Sequence, residues 1–187
     1  MTQLNVSPTH YDMVYKILHW VMAVIVILMF LAGMGFESAQ TQDEKMTMLT
    51  GHSSLGTIMA ILITLRILKR FVKRDPVPEH DLSNLQKNLA NAVQYLLYGL
   101  LVSIPITGFL TARLHELPVN AFASFNYNAG LPFDEAAYLN MRLIHEICLK
   151  ALMFVLAGHI AAALMHGFIK KDNVLKSMSL FKRAPKK

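Results

Sequence analysis

The 187-residue chain is 54% apolar and only 16% charged, too few charged side chains to solvate the surface of a water-soluble domain. Its net charge of +6 sits in blocks beside apolar stretches, with no basic, aromatic-interleaved face. That pattern suits the flanks of membrane helices and argues against nucleic acid as a partner.

After a polar opening from Met1 to Lys16, an aliphatic run over roughly 17–36 is long enough to cross a bilayer and is broken by His19. It exceeds the core of a secretory signal and reads as a retained span. A short polar loop leads to a second span over roughly 48–68, with His52 near its start and Arg66 near its end. Lys69, Arg70, Lys73 and Arg74 follow, and Pro76 and Pro78 then stop the helix. A third span covers roughly 92–112 and contains Pro105, a kink that neighbouring membrane helices tolerate. The mixed segment 113–140 holds Phe122, Phe125 and Tyr127 and is expected to cap the membrane surface. A fourth span over roughly 142–169 precedes a basic tail, 170–187. The expected fold is all-α: a single membrane domain, a four-helix bundle.

Lysine and arginine counts orient it. The second connection and the tail are rich in them, whereas the first loop has Lys45 alone and the third connection has Arg113 and Arg142. The basic side faces the cytoplasm, which places the N- and C-termini there, in a bacterial inner membrane.

Of eight histidines, His10, His80 and His115 fall in polar segments and read as solvated loop residues. His19, His52, His145, His159 and His166 fall within or at the ends of spans. An ionisable ring in hydrocarbon is costly and needs a partner; five in one small bundle point to function. His145 and His159 lie 14 residues apart, about 40° short of four full turns and about 21 Å along the axis, so they share a face. His166 continues that stripe. His52 and His145 open their spans from the outer side; His19 opens the first span from the cytoplasmic side, so its partner on the fourth helix is His159 or His166. Two pairs at two depths form the pattern of two stacked bis-histidine haems. Covalent haem attachment is excluded, because the chain has one cysteine, Cys148, and no Cys-x-x-Cys-His run.

The chain resembles the bacterial cytochrome b561 family of four-helix di-haem proteins, whose members include a membrane superoxide oxidase. The resemblance rests on Leu18-His19-Trp20, Gly51-His52 with Arg66, Ile104-Pro105-Ile106-Thr107-Gly108, His145-Glu146, the run from His159 to His166, and Lys171-Asp172-Asn173. It implies that His19 with His159 and His52 with His145 ligate two non-covalent b haems, with His166 near a haem edge, and that electrons exchange with the quinone pool, ubiquinone being the expected substrate. A histidine common early in helix three of the family is absent; the region reads Asn91-Ala92-Val93-Gln94.

The expected activity is therefore that of an oxidoreductase passing electrons between quinone and a one-electron partner, either superoxide or a redox protein. Arg66 is expected to pair with a haem propionate, Lys150 to snorkel toward the outer interface, and Trp20 and Tyr15 to act as interface aromatics. Two alternatives are a haem-bearing subunit of a larger oxidoreductase and a histidine-based metal transporter or zinc enzyme. The second is weakened by the lack of His-Glu-x-x-His and by the near-absence of carboxylates from the spans.

Overall fold

The computed structural model describes residues 10–72, 78 and 81–180. Each long helix starts at a polar side chain that satisfies the free amides of its first turn. Asp12 accepts from the amides of Val14 and Tyr15 at 2.9 and 3.2 Å and opens α1, Met13–Gly35. Thr41 and Glu44 form a reciprocal capping box at α2, Gln42–Ile67, which runs on into a wider π-helical turn, Leu68–Val72. Ser83 and Gln86 do the same for α3, Asn84–Arg113. Asp134 caps α4, Glu135–Leu164, which also ends in a π-helical turn, Met165–Lys170. The helices thus begin before the apolar runs do. Capping chemistry sets where a helix starts, whereas hydropathy sets only which part of it suits lipid. His80, Lys73, Arg74, Lys182, Arg183, Lys186 and Lys187 lie outside the described residues.

All four helices are long and apolar enough to cross a membrane, and each satisfies its backbone hydrogen bonds internally, as hydrocarbon requires. The exterior is apolar, with Phe154 84% and Ile169 78% exposed. Polar groups turn inward: Tyr15, Lys16, Arg66 and His166 are all buried. Helices pack in chain order, α1 on α2, α2 on α3 and α3 on α4. Met22 and Ile25 of α1, Met59 and Ile63 of α2, and Tyr98 of α3 form the core. The sides where α4 faces α1 and α2 lack comparable backbone packing.

A small hairpin interrupts the helical pattern. β1, Asn120–Ala121, pairs antiparallel with β2, Phe125–Asn126. Its turn puts Phe122 and Ala123 in the left-handed region, at φ 53° and 56°, a conformation that a tight hairpin demands and that Asn-Gly usually supplies. Tertiary bonds hold it. Ser53 donates to the Asn120 carbonyl at 2.6 Å, the Phe122 amide donates to Ser54 at 2.7 Å, and Tyr127 hydrogen-bonds Thr57. The expected cap is therefore docked on the N-terminal half of α2, beside His52.

The far end is tied differently. Lys171 takes a left-handed conformation (φ 55°) and ends α4, and the short helix α5, Val174–Ser177, folds back toward α1. The Trp20 indole donates to the Met178 carbonyl at 3.0 Å, and the Lys16 ammonium to the Ser179 carbonyl at 2.9 Å. Trp20 is thus a strap point for the tail.

One bond in the interior joins first and third helices: the Tyr15 and Tyr98 hydroxyls meet at 2.7 Å. Removing one strands the other in an apolar setting, at about 1 kcal/mol. We expect Tyr98→Phe to lower stability by about that amount in detergent unfolding titrations, and the Tyr15→Phe/Tyr98→Phe double variant to cost less than the sum of the singles.

His115 makes the loop pH-sensitive. Burial holds its imidazole below the ordinary value of 6.5, and its Nδ1 accepts the Leu117 amide at 2.9 Å, which requires the neutral ring. A depressed imidazole means that the unfolded loop binds the proton more tightly. The contribution is full above pH 6.5 and declines as pH falls below it. Hydrogen exchange at Leu117 should accelerate on acidification, and His115→Gln should remove that dependence.

Candidate functional site

Two histidine pairs bridge the loosely packed sides of α4. The His19 ring of α1 stands 6.3 Å, centre to centre, from His159 of α4, with the planes at 69°. The His52 ring of α2 stands 6.5 Å from His145 of α4, with the planes at 81°. Helix α4 supplies one ring to each pair, and its fourteen-residue spacing separates the two levels by about 21 Å. Among the described residues no three of His, Cys, Asp or Glu gather into a metal-holding group, so these rings meet as isolated pairs.

Depth along the chain left two partners for His19. The structure sets His159 beside it and turns His166 away, with His166 Nδ1 bonded to the Asp172 carboxylate at 2.5 Å. The physical reason is the π-helical turn beginning at Met165, whose wider step breaks the stripe that a regular helix would continue. Partial burial would raise the Asp172 carboxyl, but its bonds to His166 and the Val174 amide outweigh that and hold it below the usual carboxylate value.

The ring separations fit a shared iron. A histidine–metal bond of about 2 Å and half an imidazole ring of about 1 Å, both counted on each side of the metal, sum to roughly 6 Å between ring centres. His52 is flanked by the Phe36 ring at 5.5 Å, and its buried Nδ1 has no hydrogen-bond partner among the described residues. His145 Nδ1 lies 3.0 Å from the Thr107 hydroxyl. A Cβ at Gly108 would come within 3.0 Å of the same imidazole, so the glycine clears the ring's place against α3.

Arg66 is a buried cation, 7% exposed. It donates to the Tyr15 carbonyl at 3.0 Å and lies 4.0 Å over the Tyr15 ring. Among the described residues no carboxylate pairs with it, and a buried charge without an anion is costly. Its environment therefore favours a neighbouring acidic group. Lys150 is exposed and Gln94 half-buried; neither is drawn into a pair.

The sequence reading assigned no role to Thr107, Gly108, Tyr98 or the carboxylate of Asp172. A hydroxyl and a glycine two and three places after Pro105 were the available signal for the first two. Tyr98 had none, because its partner is 83 residues away.

The chain matches the family model described as prokaryotic cytochrome b561 over residues 10–179. It is 29% identical over 180 residues to "Cytochrome b561 homolog 2" of Escherichia coli (strain K12), covering 92% of each chain. It is 26% identical over 167 residues to "Probable superoxide oxidase CybB" of Yersinia pestis, covering 89% of this chain and 93% of that one. "Cytochrome b561 homolog 1" of E. coli is 24% identical over 163 residues, 86% of this chain and 92% of the relative. The matched region takes in all four long helices and both histidine pairs, and the chain belongs to the prokaryotic cytochrome b561 family, multi-pass membrane cytochromes whose electron transfer implies b-type haem.

Proposed function

We propose that the protein is a di-haem b-type cytochrome of the bacterial inner membrane, an oxidoreductase that passes electrons from superoxide to ubiquinone. The observation that carries this reading is the meeting of two imidazole pairs, 6.3 and 6.5 Å between ring centres, at two levels of one bundle. His19 and His159 hold one haem, and His52 and His145 hold the other. Arg66 neutralises a propionate, which supplies the anion its burial demands. His166, engaged with Asp172, is not a ligand. The lysine and arginine distribution supports cytoplasmic termini and an outer location for the His52–His145 pair. The whole chain acts as a single membrane domain.

Held between two imidazoles, such a haem would supply outer-sphere, one-electron chemistry. The residues of the chain do the rest. Imidazoles from α1, α2 and α4 would hold the two groups, and the surrounding aliphatic side chains would exclude water. In the overall reaction two superoxide anions yield two dioxygen molecules, and their two electrons, with two protons, convert one quinone to quinol. The similarity to a relative named as a probable superoxide oxidase supports superoxide as the donor.

Reduced-minus-oxidised spectra of the purified protein should show b-type bands, and a haem assay should give two per chain. His145→Ala and His159→Ala should each lose one, and His166→Ala should keep both. A colourless wild-type protein, or a His159 variant with full haem, would refute the ligand set.

Purified protein in liposomes should consume superoxide in step with reduction of a quinone analogue. A red protein inert to both, but co-purifying with a redox partner, would point instead to a haem-bearing subunit of a larger enzyme.

A further inference from the structure

Helix α3 contributes no ring to either histidine pair, and among the described residues it makes a polar contact with one of them, through Thr107 and His145. The Thr107 side chain sits at the junction of two carbonyl acceptors and one imidazole. Its Oγ1 lies 2.8 Å from the Ser103 carbonyl, 3.1 Å from the Ile104 carbonyl and 3.0 Å from His145 Nδ1. A hydroxyl has one proton and two lone pairs, and a carbonyl can only accept. The proton therefore goes back to the helix carbonyls, as threonine in a helix commonly does. What Oγ1 presents to His145 is a lone pair, so the contact is a hydrogen bond only if Nδ1 carries the proton.

The next residue completes the seat. Gly108 lets the ring lie against bare backbone: a Cβ there would stand 3.0 Å from Cε1 and 3.4 Å from Nδ1 of His145. Its facing partner has no such support, since His52 Nδ1 is buried without a hydrogen bond among the described residues. The two rings of one pair are thus unequally held.

We propose that Thr107 and Gly108 are positioning residues for the outer haem: Thr107 fixes the His145 proton on Nδ1, leaving Nε2 to bind iron, and Gly108 fixes the ring's approach. This rests on His145 being an axial ligand. A hydrogen-bonded Nδ1–H makes an imidazole a stronger donor to its metal. A stronger donor favours ferric over ferrous iron and lowers the potential of that haem relative to one whose ligands lack the bond. Helix α3 would then tune one haem and leave the other alone, giving electrons a preferred resting site.

The test is potentiometric titration of the purified holoprotein, followed in the visible bands, with haem counted in each variant. Thr107→Val keeps the shape and removes the acceptor; it should retain two haems and move one midpoint potential to a more positive value, with the other unchanged. Thr107→Ser should restore the wild-type potential. Gly108→Ala should lower the retention of one haem. His145→Ala is the control on the underlying assignment, and if it keeps both haems, the ligand reading fails. If it loses one while Thr107→Val leaves both potentials unchanged, the positioning role of Thr107 is overturned and the ligand reading stands. Should Thr107→Val lose a haem outright, Thr107→Ser decides: wild-type haem content and potentials uphold the role, and loss in that variant too refutes it. Full haem retention and unshifted potentials in Gly108→Ala would overturn the role of Gly108.

Discussion

An imidazole placed in hydrocarbon has to be satisfied by another group, because no water is present to do it. In this bundle four such rings face one another across the sides of α4 that the backbone does not close. Much of the architecture follows from that. Helices α1, α2 and α3 pack through an aliphatic core capped by the Tyr15–Tyr98 bond, and α4 leans on α3. Across its remaining sides α4 meets α1 and α2 through the two ring pairs. A well-packed aliphatic interface there would have been simpler to build. Paired imidazoles there suit the haem ligation proposed above.

The same logic governs Arg66. A guanidinium buried against the Tyr15 carbonyl and ring is only partly served by those contacts, since neither carries a negative charge. Paired imidazoles and a buried cation both suit the haem ligation and propionate pairing proposed above. Family membership supplies the b-type haem independently, so the chemical reasoning and the comparison converge from separate starting points.

Outside the helices, two devices close the ends. The hairpin is held on α2 by Ser53, Ser54 and Thr57, and it carries two left-handed residues that have no glycine to ease them. The tail is held on α1 by carbonyls that accept from Lys16 and Trp20. Both use hydroxyls or long polar side chains from the helix ends to satisfy loop backbone, which is the general problem of irregular chain beside a membrane.

Four spans were legible from the chain alone because hydropathy is a local, additive property, and the residues that would ligate haem stood out because imidazole in an apolar run is conspicuous. The shared face of His145 and His159 followed from helix periodicity. Helix starts at Asp12, Thr41, Ser83 and Asp134 were written in the chain as capping residues but lay beyond the apolar runs that defined the spans. Periodicity could not separate His159 from His166, because a π-helical turn at Met165 depends on how the helix end packs and not on residue type. Contacts such as Tyr15 with Tyr98, Arg66 with Tyr15, and Thr107 with His145 join residues 83, 51 and 38 positions apart. The sequence determined which groups are buried in lipid-facing helices; which of them touch was decided only when four helices took their mutual rotation, a non-local balance of packing that no single segment encodes.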